Sequence, residues 1–507
     1  MEIPTWIIIL LEIIYGVIVI ALAIYGFNTL FLTWRRMRQT KSTNKLRANQ
    51  GNDLPRVTIQ LPVYNERYVV KRLIDSVAAL DYPKELLEIQ VLDDSDDITS
   101  DIVSQVVTYH RNLGVDIRHI QRSNRVGYKG GALAHGMLNA RGEFVAIFDA
   151  DFIPNPDFLQ ATILYFVEDT NIGCVQARWG HTNSDSSWLT RAQATGIDGH
   201  FLIEQETRSA GGFLLNFNGT AGIWRRSCIE DAGGWQSDTL TEDLDLSYRA
   251  QLRGWRILYL PHISVPAELP VHINAFKRQQ FRWAKGSIQT ARKMLPDLWR
   301  STQPLRNKIE GSIHLTHYVV HPLILVNLFL TLPVLLLNSR FFWTIHLFTT
   351  AAIGPLLMYW ISMREEGQSI QERLSHLIGL LFLGMGLSVN NTRAFTEASL
   401  GIKTSFLRTP KFNLQGGEGA GENHDYMLPR DANFWIEALL GVYSVGLLAY
   451  VILIGAWGLV FWVLLYAGGF SYVAGLSYIQ SLPRNAKSKP GRLTLSQESK
   501  ESKLIGG

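Results

Sequence analysis

Cysteine is nearly absent from this 507-residue sequence: Cys174 and Cys228 are the whole complement. They stand far apart, with no CxxC and no Cys/His cluster. Neither a zinc site nor a disulfide scaffold is indicated, and two buried free thiols are expected. Charge is scarce too. Only 18% of residues are charged and the formal net charge is +4, too mild for a nucleic-acid binder. The Walker pattern is missing, as is any Ser/His/Asp arrangement, and no internal repeat is evident. Apolar residues make up 47% of the chain, high for a soluble protein yet low for a chain built of membrane spans alone. The length exceeds one ordinary domain. One soluble domain joined to several transmembrane helices is therefore expected.

The apolar runs place those helices. Residues 5–34, "TWIIILLEIIYGVIVIALAIYGFNTLFLTW", are long enough to cross ~30 Å of hydrocarbon. No basic residue precedes the run, and it is too long for a signal peptide. Arg35, Arg36, Arg38, Lys41, Lys45 and Arg47 follow it, which makes that flank cytoplasmic by the positive-inside rule. Residues 1–34 are thus read as a transmembrane helix and 35–53 as a basic cytoplasmic linker. Residues 54–300 read as soluble α/β, because short apolar strands ending in polar residues alternate with helical segments such as 67–80. Residues 301–400 hold two spans, 314–337 and 341–362, and a shorter apolar segment, 374–389, expected to lie in the interface. Residues 401–432 are loop, Gly-rich over 413–431. Two further spans, 434–457 and 458–481, fall within 433–482, and 483–507 is a basic, disordered cytoplasmic tail. Five crossings would leave the N-terminus outside and put residues 390–430 and the basic tail on the cytoplasmic side.

The soluble part carries acids at strand ends: "LPVYNE" (61–66), "LDDSDD" (92–97), "FDAD" (148–151) and "TED" (241–243). In open α/β sheets ligands bind at the carboxyl ends of strands, so these acids are candidates for one site. Two carboxylates one residue apart, Asp149 and Asp151, suit Mg²⁺ or Mn²⁺ carrying a diphosphate; a lone DxD is equally a solvated turn. "NRVGYKGGAL" (124–133) offers close backbone approach and Lys129 for phosphate, or is simply a glycine loop before a helix. "FNGTAGIWRR" (217–226) presents Asn218 and Thr220 beside small residues, with Trp224 and Trp235 as core aromatics. His135, His272 and the other histidines read as structural. "KRQQFRWAKGS" (277–287) fits a nucleic-acid patch, a membrane-surface helix or a sugar platform.

In this order the motifs resemble family 2 glycosyltransferases, in the processive, membrane-embedded branch that includes cellulose and hyaluronan synthases. The matching residues are Asp94, Asp149-Ala-Asp151, Thr241-Glu242-Asp243 and Gln279-Gln280-Phe281-Arg282-Trp283. The resemblance covers about 54–300 by motif and extends to about 412 by layout. "VLDDSDD", "FNGTAGIWRR", "GGW", "TEDLDLSYRA" and "GWRILYL" look most like the plant cellulose-synthase-like mannan and glucan synthases, which have VED where this chain has TED. "SFLRTPKF" (405–412) looks like the FxVTxK gating loop, with Phe406, Thr409 and Lys411 in place, Arg408 where Val is usual, and Pro410 as a further difference.

The resemblance implies an α/β GT-A (Rossmann-like) domain inserted between transmembrane α-helices. It implies an inverting transfer of hexose from UDP-glucose or GDP-mannose to a growing β-linked polysaccharide, with export through the bilayer. Asp243 is the implied base, with Glu242 and Thr241 beside it. Asp149 and Asp151 hold Mg²⁺ or Mn²⁺. Glu66, Asp94, Lys129, Asp149, Gln279, Arg282, Thr409 and Lys411 are implied at the nucleotide and diphosphate. Trp283, Asn218 and Thr220 are implied at the acceptor, with Trp283 stacking on the terminal sugar. The other readings are a lipid glycosyltransferase acting on ceramide or diacylglycerol, and a transporter or receptor with a degenerate α/β domain. No nucleic acid and no firm protein partner are expected.

Overall fold

The computed structural model describes residues 4–39, 54–337, 346–414, 428 and 431–482. The expected linker beyond residue 39, the Gly-rich loop over 415–427 and the tail from 483 lie outside these residues.

Seven strands form one mixed sheet in the order β3-β2-β1-β4-β6-β5-β7. They are β1 Val57–Val63, β2 Leu87–Asp93, β3 Ile117–Gln121, β4 Phe144–Ile147, β5 Ile172–His181, β6 Gly222–Arg225 and β7 Arg256–Ala267. β1 runs parallel to both β2 and β4, with Val63 opposite Asp93 and Gln60 opposite Ile147. The loops that follow these three strands therefore emerge along one edge. β6 enters antiparallel between β4 and β5.

Strand alternation builds a core on each face. Val57, Ile59, Leu61 and Val63 point into one, against Leu73, Val77 and Leu159 of the flanking helices. The other face holds Val145, Ile147, Cys174, Trp224, Cys228 and Trp235. Both cysteines are buried free thiols. The two tryptophans meet edge to face at 6.2 Å, as core aromatics. Polar residues of β1 on that side bond across the register: Thr58 donates to Glu88 at 2.8 Å and Gln60 to Gln90 at 3.1 Å.

Four helices are long and apolar enough to cross a membrane: Thr5–Arg38, Leu305–Leu336, Asn433–Leu453 and Trp457–Ile479. The expected span over 341–362 is not met as one long helix among the described residues. There a 3-10 segment, His346–Ala352, leads into a helix of 13 residues, Ile353–Glu365. That helix is about 20 Å long at 1.5 Å per residue, short of a bilayer core. The segment expected in the interface is the first half of a bent pair, Ile370–Gly386 and Ser388–Ser399, meeting at 43°. The second half is polar and packs on the helix Ile273–Arg300.

Ion pairs join the apolar helices to the sheet domain and to one another. Arg36, at the end of the first helix, reaches Glu206 at 3.1 Å and Glu365 at 2.8 Å. Lys277 meets Glu437 at 2.7 Å, with both side chains buried. Removing one partner of the Lys277–Glu437 pair is expected to cost about 3–5 kcal/mol, because the other charge is left alone in low dielectric.

Candidate functional site

The acids converge. A cavity of about 210 Å³ lies over the carboxyl ends of β1, β2 and β4, lined by Glu66, Asp94, Lys129, Asp149, Asp151, Asn218, Thr241, Glu242, Asp243, Gln279, Arg282, Trp283, Thr409 and Lys411. Every predicted site residue except Thr220 faces it. Thr220, expected at the acceptor, is fully buried. Its hydroxyl accepts the Asp149 backbone N–H at 2.9 Å and so shapes the DxD turn.

The turn that leads into β6 explains the split between Asn218 and Thr220. Gly219 has φ +83° and Ala221 φ +55°, so the strand-like alternation is broken and the two polar side chains diverge. A Cβ on Gly219 would stand 2.8 Å from Asp243 Oδ2. The glycine lets Asp243 close on this turn, and its carbonyl accepts Lys129 Nζ at 2.9 Å.

Thr241-Glu242-Asp243 opens the helix Glu242–Leu252, where a carboxylate also meets the positive end of the helix dipole. Against it lies the helix Ile273–Arg300, which carries Gln279, Arg282 and Trp283. Gly286 makes that approach possible, since a Cβ there would sit 2.5 Å from Thr241 Cγ2. Burial, then the neighbouring Glu242, push the Asp243 carboxyl up, against the pull of Lys129. Burial likewise raises Glu242. Burial pushes Lys129 down, but Asp149, Glu242 and Asp243 together outweigh it and hold the ammonium charged. Burial lowers Arg282 to about 10 despite the acids around it.

The segment 401–414 lies across the cavity as a strap. Arg282 donates to Thr409 at 3.2 Å and its guanidinium sits 4.3 Å from the Phe406 ring centroid. Phe406 stacks on Tyr128 at 5.6 Å. Arg408 pairs with Glu66 at 3.1 Å, which gives the departure from Val a structural role. Lys411 donates to Asp151 at 2.5 Å and to the Glu268 carbonyl at 2.8 Å. Asp149 is held by Lys129, and Asp94 is engaged by Arg122.

Two carboxylates held by ammonium groups mark a place that demands positive charge. Among the described residues no group of three or more His, Cys, Asp or Glu side chains is arranged to hold a metal ion. Asp149 and Asp151 alone fit Mg²⁺ or Mn²⁺ of the kind that takes one or two carboxylates and completes its shell with substrate phosphates and water.

Trp283, Asp243, Thr241 and Asn218 also line a second cavity, of about 700 Å³. It runs from Trp283 between the apolar helices, past His200 and Glu204 to His321, Asn327 and Tyr466. His200 and Glu204 sit on a π-helical turn, His200–Gln205, a distortion frequent at functional sites. His200 bonds Glu204 at 3.0 Å and Asn218 at 3.1 Å.

Sequence reasoning missed His200, Glu204 and Glu268. Glu268 follows β7 and accepts the strap's N–H groups from Phe412 at 2.7 Å and Leu414 at 3.1 Å. The rule applied to the other acids, a carboxylate at a strand end, would have found it.

The profile of the family described as "Glycosyltransferase like family 2" matches residues 55–286. Glucomannan 4-beta-mannosyltransferase 2 of Arabidopsis thaliana is 38% identical over 358 residues, 66% of each chain. Probable glucomannan 4-beta-mannosyltransferase 9 of Oryza sativa subsp. japonica is 38% identical over 360 residues, 66% of this chain and 68% of the relative. About a third of each relative is unmatched. Among solved structures, a mannosyltransferase of Pyrobaculum calidifontis in complex with GDP-Man and Mn²⁺ is similar in fold, with a TM-score of 0.51 and 21% identity. It covers 77% of this chain and 100% of its own.

Proposed function

The chain belongs to glycosyltransferase family 2, in its cellulose-synthase-like branch, and on that premise we propose a membrane-embedded inverting transferase. It transfers a hexose from a nucleotide sugar to a growing β-linked polysaccharide of the mannan type. The donor is GDP-mannose or UDP-glucose; the names of the relatives, mannosyltransferases, favour the mannose donor. The observation that carries the reading is the meeting of the DxD pair, Asp243 and Trp283 where the two cavities join.

The acceptor hydroxyl attacks the anomeric carbon from the face opposite the diphosphate. Its oxygen gains the bond to carbon, the bond from carbon to phosphate oxygen breaks, and the proton passes to an Asp243 carboxylate oxygen. The raised basicity of Asp243 suits that role. Asp149 and Asp151 would hold Mg²⁺ or Mn²⁺, which neutralises leaving diphosphate charge when bound. Arg282 and Lys129 supply further positive charge to the diphosphate, while Thr409 and Lys411 of the strap close over it. Glu66, Asp94 and Gln279 complete the donor side. Trp283 and Asn218 hold the terminal sugar, the indole face against its C–H face.

The larger cavity would take the chain onward. Its wall contains Gln193 Oε1, Asn216 Oδ1, His321 Nδ1 and Asn327 Oδ1, all buried and without a protein hydrogen-bond partner. Such atoms need partners, and glycan hydroxyls supply them. The first helix ends in Arg35, Arg36 and Arg38, and Arg36 pairs with Glu206 of the sheet domain, which supports a cytoplasmic catalytic face in a multi-pass membrane protein.

The test is to give the purified protein labelled GDP-mannose and UDP-glucose separately, with Mn²⁺ or Mg²⁺. β-mannanase and cellulase digestion then identifies the product. A mannanase-sensitive polymer supports the reading, a single sugar on lipid replaces it with the lipid transferase, and no turnover of either donor overturns it.

A further inference from the structure

The helix Ile273–Arg300 has a second face that touches neither cavity. Lys285 stands two residues beyond Trp283 and is fully buried. Its ammonium group donates to Glu397 Oε2 at 2.7 Å and to the Thr404 hydroxyl. Glu397 belongs to the last turn of the helix Ser388–Ser399 and also accepts from Arg393 at 2.9 Å. Thr404 lies inside the strap, two residues before Phe406. Arg292, two turns further along the Trp283 helix, donates to the carbonyls of Ala398 at 2.6 Å and Ser399 at 3.1 Å. The point where the strap leaves its helix is thus pinned to the helix that bears the indole.

The remaining contacts of the strap are of another kind. Arg408 on Glu66 and Lys411 on Asp151 engage carboxylates inside the donor cavity. A bound metal and diphosphate would compete for those same groups. The tether at Lys285 touches neither Glu66 nor Asp151 and so lies outside that competition.

We propose that Lys285 is a positioning residue: through Glu397 and Thr404 it fixes the root of the 401–414 strap against the helix of Trp283. The cover over the donor and the platform for the acceptor are then held in one frame. The role in transfer rests on the reading above, whereas the tether itself does not.

The experiment uses the full chain in detergent, with Lys285→Met, Lys285→Arg, Glu397→Gln and Thr404→Val. The first readout is limited trypsin cleavage after Arg408 and Lys411, both in the strap. Lys285→Met is expected to speed cleavage there about five-fold or more, because the strap opens more often, with cleavage elsewhere unchanged and Lys285→Arg close to wild type. Thr404→Val removes only the strap arm and is expected to move in the same direction while leaving the two helices paired. The second readout is kinetic: a raised donor KM and more sugar released to water per sugar transferred, with kcat changed less. Strap cleavage at the wild-type rate in folded Lys285→Met or Thr404→Val overturns the proposal, as does a fall in kcat and thermal stability alone. If Lys285→Met does not fold, Thr404→Val and Glu397→Gln decide by the same cleavage. Wild-type protein that turns over neither nucleotide sugar sinks the transferase reading, while the cleavage comparison still judges the tether.

Discussion

Lys411 Nζ lies 2.5 Å from Asp151 Oδ2, across 260 residues of sequence, in a cavity where both side chains are about 10% exposed. The ammonium group satisfies the carboxylate proposed above as a metal ligand, and under that proposal a metal ion would compete with it. Lys411→Met removes that ammonium group. Mn²⁺ bound alone, followed by electron paramagnetic resonance or calorimetry, should bind about ten-fold tighter, in line with the ~1.5–3 kcal/mol of a hydrogen bond to a charged group. Transfer should meanwhile slow, since the leaving diphosphate loses a cation. Unchanged Mn²⁺ affinity would show that Lys411 does not guard the site.

Asp243→Asn should retain nucleotide binding and lose transfer by about 10²–10⁴-fold, the usual worth of a positioned base. The wild-type rate should also depend on pH with a definite sign. The Asp243 carboxyl is pushed up to about 7 by burial first and by Glu242 next, and the base works only when ionised. kcat/KM therefore rises with pH through about 7 in the free enzyme, and bound metal and diphosphate move the limb of kcat lower. A flat profile from pH 5 to 8 counts against the assignment.

Trp283→Ala should weaken acceptor rather than donor. An aromatic platform contributes about 0.5–1.5 kcal/mol beyond its buried area, so KM for a manno-oligosaccharide should rise several-fold with GDP affinity nearly constant. Shorter products should accompany it. An equal loss for donor and acceptor would place the indole elsewhere in the cycle.

Glu66 makes stability fall with rising pH. Burial pushes its carboxyl up to about 8, although Arg408 opposes this, while an unfolded Glu titrates near 4.3. Between these values the folded chain keeps a proton that the unfolded chain has lost. The contribution is complete below about 4.3 and is lost as pH rises through about 8, at no more than about 1.4 kcal/mol per pH unit. Thermal unfolding of Glu66→Gln should show a flatter pH dependence across that window. An unaltered slope would mean that Glu66 keeps its charge in the fold.

The strand-end acids were legible because β1, β2 and β4 run parallel, so their carboxyl ends must share an edge. Trp283 and Arg282 were legible only as part of an ordered set of motifs. Thr220 was misplaced because alternation fails where Gly219 and Ala221 take positive φ, which residue types alone do not announce for alanine. The stretch 341–362 is apolar enough to span, yet its described part folds as a 3-10 segment and a short helix against the first helix; hydropathy does not encode that packing. Lys285 and Glu397 are 112 residues apart. Each alone reads as the solvated face of an amphipathic helix, and only their helices' packing turns them into a buried pair.

The guanidinium of Arg36 bears on how this protein can be handled at the bench. It closes two acids that belong to separate parts of the chain, Glu206 and Glu365. A fragment trimmed to begin at β1 would take the Arg36 guanidinium away from both acids. The hydrophobic anchor is thus also a structural staple, and the sugar-handling module should resist excision as an autonomous piece.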